Sequence, residues 1–214
     1  MKRLLIVPLV WLCAISPLVG RLAADLSKGR IVILGDSLAA GYGVEETEAF
    51  PALLQQKLEE AGLAFEIANA GVSGDTTAGG LRRINWLLKR DVNVLILELG
   101  GNDGLRGIAP SETKRNLIGI IQKTREKYPE VKILLAGMQM PQNMGEDYRA
   151  AFQTIFPELA KSLKVDLIPF LLEGIGADPE FNQPDLIHPN PEGHKMVAKT
   201  VWKSLEPLLR RGKE

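Results

Sequence analysis

Gly35-Asp36-Ser37-Leu38 breaks an apolar run, Ile31-Val32-Ile33-Leu34, and Asp185-Leu186-Ile187-His188-Pro189 lies near the other end of the chain. A serine turned out of a strand and a histidine three residues after an aspartate are the residue types of nucleophilic acyl chemistry. A serine hydroxyl is a weak nucleophile until a base takes its proton. The 214 residues include two histidines, His188 and His194, so an imidazole base must be one of them. Pro189 biases His188 away from helical geometry. Asp185 can then curl back to accept from its Nδ1, fixing the tautomer and stabilising the imidazolium. His194 falls inside a helical pattern with no acid placed to orient it, and it reads as structural.

An acyl-transfer site also needs donors where the carbonyl oxygen becomes negative. The backbone N–H of Ser37, that of Gly74 and the side-chain amide of Asn102 are the candidates. Taken singly, Gly74 and Asn102 suit ordinary turns. Taken together, after three successive strands of one sheet, they read as an oxyanion hole. Asp36 and Asp103 are expected to organise their turns by hydrogen bonding to nearby backbone.

These residues must be held by a scaffold. Strands are expected at Ile31–Leu34, Glu66–Asn69, Val94–Leu99, Val131–Ala136 and Asp166–Ile168. All are rich in Val, Ile and Leu with little polar alternation, as in strands buried on both faces. Helical patterns cover Phe50–Glu60, Leu81–Arg90, Ser111–Lys127 and Tyr148–Leu163. A last helix is capped by Asn190, has Pro191 at its first position and runs toward Leu209. Strand and helix in alternation predict a single three-layer α/β/α domain around a five-stranded parallel sheet. Chemistry in such sheets gathers outside the carboxyl ends of the strands, where the residues above fall.

Four blocks carry a resemblance. Gly35-Asp36-Ser37-Leu38, Gly74 within Asn69–Asp75, Gly100-Gly101-Asn102-Asp103 and Asp185-x-x-His188-Pro189 match, in order, those of the SGNH (GDSL) hydrolase family. The likeness runs from about Arg30 onward. Gly35–Gly43 and Leu99–Gly107 look like the bacterial thioesterase I / lysophospholipase L1 / arylesterase branch. The resemblance implies a flavodoxin-like sheet, a Ser–His–Asp triad, a three-donor oxyanion hole and no metal or other cofactor. It makes Ser37 the nucleophile, His188 the base and Asp185 its orienter, with Gly74 and Asn102 joining Ser37 in the oxyanion hole.

Composition bounds the partners. Lys and Arg number 26 and Asp and Glu 26, so nothing points to nucleic acid, and a monomer is expected. Lys2 and Arg3 precede an apolar run from Leu4 to Val19, followed by Ala23-Ala24: the pattern of an export signal over residues 1–24. Pro8 and Pro17 interrupt the run, which is short for a membrane span. The domain then covers residues 25–214, without a stable membrane span and periplasmic or secreted. Loss of the leader removes Lys2, Arg3, Arg21 and no acid, leaving 23 basic against 26 acidic residues. It also removes Cys13, the sole cysteine, so the remainder has no disulfide and depends on its core.

Met138, Met140 and Met144 follow the fourth strand, and Leu105 and Ile108 follow Asn102. Flexible methionines suit an acyl groove, although they serve equally as core filler. Arg106 is a candidate for a polar head group. The expected substrate is a small acyl ester or thioester, including lysophospholipid-like molecules. A carbohydrate O-acetylesterase and a non-catalytic binding module are the alternatives. The Gly-x-Ser-x-Gly elbow of α/β-hydrolases, a His-Glu-x-x-His zinc motif and a phosphate-binding Gly-x-x-x-x-Gly-Lys loop are all absent from the chain.

Overall fold

Five apolar segments pair side by side. They are β1 (Gly29–Gly35), β2 (Phe65–Gly71), β3 (Val94–Glu98), β4 (Lys132–Ala136) and β5 (Asp166–Ile168). All pairs are parallel and the order is β2-β1-β3-β4-β5, the flavodoxin-like arrangement. This computed structural model describes residues 28–211. The leader expected over residues 1–24, with Cys13, lies outside the described residues.

Helices cover both faces. They are α1 (Ser37–Ala40), α2 (Phe50–Glu60), α3 (Thr77–Leu87), α4 (Gly101–Leu105), α5 (Pro110–Lys127), α6 (Glu146–Leu163) and α7 (Pro191–Arg210). α2 packs with α7 in one layer, while α3, α5 and α6 pack together in the other. Ile31, Ile33, Leu34, Leu95, Ile96 and Leu97 lie wholly buried between the layers, with Phe50, Phe152 and Phe156 beneath the helices. Each such side chain contributes about 1.5–3 kcal/mol relative to exposure. As the sequence predicts, Asn190 caps α7 by accepting from Gly193 N, with Pro191 in the first turn. Among the described residues no helix is long and apolar enough to cross a membrane.

One helix begins earlier than its pattern suggests. α3 starts at Thr77 rather than Leu81, capped by the Thr76 side chain on Gly79 N. Gly79-Gly80 looks like a loop in the sequence, yet both glycines are helical because neighbours press on them. A β-carbon on Gly80 would lie 2.3 Å from Leu99 Cδ1. Their job is close packing, which no local pattern reveals.

Register aligns the strand ends that matter. Gly35 sits opposite Gly71 on one side and Glu98 on the other, so β1, β2 and β3 finish at one level. The segments after them therefore open at a common edge.

Candidate active site

Ser37 opens the single turn α1, directly where β1 stops. Asp36 caps that turn, its Oδ1 accepting from Leu38 N at 3.0 Å. Gly41 closes it in the left-handed region at φ 75. The turn is too short to stand alone; β1 and its cap hold it. Ser37 is largely buried, and its Oγ lies 2.9 Å from His188 Nε2.

His188 is aimed by the turn that carries it. Asp185 Oδ1 accepts from Ile187 N at 2.9 Å and from His188 N at 3.0 Å, while Oδ2 lies 2.6 Å from His188 Nδ1. Leu186 sits between them at φ 59, a left-handed conformation that costs about 1 kcal/mol in a residue with a β-carbon. Partial burial pushes the Asp185 carboxyl up. The hydrogen bonds from His188 and Ile187 outweigh it and bring the carboxyl down to about 2. An ionised Asp185 accepts only, so Nδ1 carries the proton and Nε2 is free to accept from Ser37. The Tyr42 ring lies against the imidazole, centroids 4.6 Å apart. Gln183 Nε2 donates to the Tyr42 carbonyl, tying the histidine loop to the segment after α1.

The other expected residues fall on the same edge. Asn102 lies in α4, its Nδ2 donating to Asp36 Oδ2 at 3.1 Å, which leaves its second N–H beside the serine turn. Gly74 follows β2 at φ 78, and its carbonyl accepts from Arg106 Nη2 at 2.9 Å. Arg106 thus braces the Gly74 loop, a bond that the head-group reading did not include. Asp103, fully buried, accepts from Thr77 N at 2.8 Å and from the Thr77 hydroxyl, joining α4 to α3. Asp36 organises its own turn as the sequence suggests. Asp103 does not, and accepts instead from Thr77, 26 residues away.

A cleft of about 470 Å³ opens beside Ser37, Asn102 and His188. Leu105, Met138 and Met140 line it. Ile108 and Met144, expected with them, do not. The Ile108 carbonyl accepts from Tyr148 Oη at 2.8 Å, and Met144 packs against the core from a 3₁₀ turn. Phe170, Leu172, Leu186 and Ile187 add apolar wall to the cleft. These residues come from the long stretch after β5, which has no period to announce which side chains turn inward. Among the described residues no cluster of three or more His, Cys, Asp or Glu is placed to hold a metal ion.

Comparison with known proteins decides the family. Residues 33–196 match the GDSL-like lipase/acylhydrolase family. The chain belongs to it. This GDSL hydrolase is 41% identical over 180 residues to esterase TesA of Pseudomonas aeruginosa, covering 84% of this chain and 89% of that one. It is likewise 41% identical to thioesterase 1/protease 1/lysophospholipase L1 of Escherichia coli K12, covering 84% of each. A crystal structure of TesA superposes with a TM-score of 0.80 at 39% identity, over 84% of this chain and 99% of that one. The protein is thus an ester hydrolase.

Two polar groups of this GDSL hydrolase escape a reading of sequence alone. Arg83 of α3 donates to Asp75 Oδ2 at 2.7 Å, to Ala70 O at 2.7 Å and to Gly35 O at 3.0 Å. One guanidinium therefore clamps the ends of β1 and β2. Glu98 ends β3 with no exposed surface, its Oε2 accepting from Asp36 N at 3.1 Å. An acid closing the apolar strand Val94-Leu95-Ile96-Leu97 is the signal that could have found it. Burial, then the charge of Asp36, pushes the Glu98 carboxyl well above the usual range. Burial likewise raises Asp36, to about 6, against the hydrogen bonds from Leu38 and Asn102.

Proposed function

We propose that the protein is an exported serine esterase that cleaves acyl esters and thioesters through an acyl-enzyme on Ser37. The observation that carries this reading is the unbroken line Asp185–His188–Ser37, at 2.6 Å and 2.9 Å, opening on an apolar cleft. His188 Nε2 takes the hydroxyl proton as Oγ attacks the acyl carbonyl, and Asp185 holds the resulting imidazolium. The carbonyl oxygen becomes negative within reach of Ser37 N–H, Gly74 N–H and the Asn102 amide. His188 then gives its proton to the leaving alcohol or thiol, and water repeats the sequence to release the acid. No cofactor takes part.

Leu105, Met138, Met140, Phe170 and Leu172 supply a wall on which an acyl chain buries surface at about 0.8 kcal/mol per methylene. Acetyl groups gain little from such a wall, so short-to-medium acyl, aryl and lysophospholipid-like esters fit better than acetylated sugars. The names of the relatives, esterase and thioesterase/lysophospholipase, agree with that range. The basic, apolar and small-residue order of residues 1–24 supports export to the periplasm or beyond, as a monomer without the leader.

Hydrolysis of p-nitrophenyl esters from acetate to palmitate, by residues 25–214 and by Ser37→Ala, tests the proposal. A maximum at medium chain length that vanishes in Ser37→Ala is the expected result. Activity confined to acetate would reassign the cleft, and equal rates in both proteins would remove Ser37 from the mechanism.

A further inference from the structure

The buried acid behind the serine turn has a use. We propose that Glu98 is a positioning residue of the oxyanion hole, fixing Asp36 and through it the Asn102 amide. The inference rests on the reading of Ser37 and Asn102 given above.

Three observations carry it. Glu98 is wholly buried, yet its Oε2 accepts from backbone of the serine turn, the N–H of Asp36, the residue before Ser37. Its Oε1 is buried with no hydrogen-bond partner. Room for the carboxyl exists because Gly35 has no side chain: a β-carbon there would lie 2.3 Å from Glu98 Oε2. A buried acid that does nothing is costly and a leucine would pack better. What it gains is a fixed Asp36. Asp36 spends its two oxygens on Leu38 N, at the start of the serine turn, and on Asn102 Nδ2. Glu98 therefore sets one peptide from which both the nucleophile and an oxyanion donor are aimed.

The same geometry fixes its protonation. Two carboxyls side by side in a low-dielectric interior do not both ionise. Asp36 has a donor on each oxygen, Leu38 N–H and the Asn102 amide, to favour its anion. Glu98 accepts from backbone N–H alone, and a charge on it would leave Oε1 bare. The groups around the pair are Asp36 on the serine turn, Arg83 of α3 at Gly35 O, Asp75 paired with that arginine, and His188 beyond Asp36. Arg83 is occupied by Asp75 and two carbonyls, so it does not neutralise Glu98. Glu98 stays the neutral acid, and Asp36 carries the negative charge that orients Asn102.

Glu98→Gln keeps an acceptor for Asp36 N–H and cannot ionise, whereas Glu98→Ala removes the support. The experiment compares kcat and KM of both variants with the parent on one p-nitrophenyl ester, alongside their melting temperatures. Expected for Glu98→Ala is a kcat loss of roughly ten- to a hundredfold with KM nearly unchanged, since an aimed donor acts on the transition state. Glu98→Gln is expected to restore most of that loss. Infrared spectra at mildly alkaline pH should show the C=O stretch of a neutral carboxylic acid in the parent and not in Glu98→Gln. Parental kcat in folded Glu98→Ala, an equal loss in both folded variants, or no neutral-acid band in the parent would each overturn the proposal. Should Glu98→Ala not fold, Glu98→Gln and the spectrum decide it. Ester hydrolysis surviving in Ser37→Ala would instead refute the underlying reading, a separate outcome.

Discussion

The second histidine makes stability respond to pH in a way that can be isolated. His194 is 1% exposed in α7, and its Nδ1 accepts from Phe50 N at 3.2 Å, the first residue of α2. Burial lowers its pKa from 6.5 to about 4, with Glu48 opposing and His188 adding slightly. The unfolded chain takes a proton near 6.5 and the folded chain only near 4, so stability falls as pH drops between those values. The gap between those two values is worth on the order of 3 kcal/mol. Asp36 works the other way. Its folded value is raised from 3.8 to about 6, so the folded chain holds a proton that the unfolded chain has lost, and stability rises as pH falls through that window. Glu98, raised further still, slopes the same way as Asp36, so both acids oppose His194 in the parent. His194→Asn keeps an acceptor for Phe50 N–H but cannot titrate, so it leaves the slopes of Asp36 and Glu98 exposed. Urea unfolding compares the variant at about pH 7, 5.5 and 4 with the parent as reference. The variant should gain relative to it by about 3 kcal/mol toward acid. Whatever fixed cost the substitution carries drops out of the comparison. A parent-to-variant difference that does not change with pH would refute the buried, neutral imidazole.

Two further outcomes follow from the site. Asp185→Asn removes the acceptor-only partner of Nδ1 and favours the wrong tautomer of His188. A kcat loss of about 10³- to 10⁴-fold at little change in KM is expected in steady-state assays with the p-nitrophenyl ester. Gly104 faces Met140, and a β-carbon there would lie 1.9 Å from its Sδ, so Gly104→Ala must push Met140 toward the cleft. In the acyl-chain series this variant should move its optimum to shorter chains, with long-chain kcat/KM falling roughly tenfold or more and acetate nearly unchanged.

Parts of this molecule that depend on local pattern are legible in the sequence. Strands buried on both faces stand out as apolar runs, and the parallel sheet follows from their alternation with helices. Asp185 and His188 are visible because they stand three positions apart and histidine is scarce. The hidden parts all depend on what approaches from elsewhere in the chain. Gly79-Gly80 looks like a loop until Asp75 is seen against the first glycine and Leu99 against the second. Glu98 looks like the end of a strand until Gly35 is seen to make room for it. Met144 shares the composition and neighbourhood of Met140, yet packs against the core while Met140 lines the cleft. Only the direction of each side chain separates the two, and short irregular segments do not encode that direction as a period.

The topology explains why the site combines rigid and irregular parts. From β1 the chain steps to β2 on one side and then crosses to β3 on the other, so the connections diverge and leave a crevice at the carboxyl edge. Ser37 and Asn102 flank that crevice after β1 and β3; Glu98 and Arg83 fix the serine turn to the sheet, and Asp103 ties the Asn102 turn to α3. The histidine has no such neighbour. Its segment leaves β5, three strands from β1, and must return across roughly 14 Å of sheet. It is held by its own bonds instead: the bridge of Asn182 with Pro189, Gln183 N to the His188 carbonyl, and Gln183 Nε2 to the Tyr42 carbonyl. The strained Leu186 lies within that loop, and the Asp185 bonds to Ile187 and His188 N–H offset its cost. The base is thus positioned by a turn whose central residue is the same aspartate that orients its imidazole. Asp185 is the point where backbone geometry and proton transfer meet.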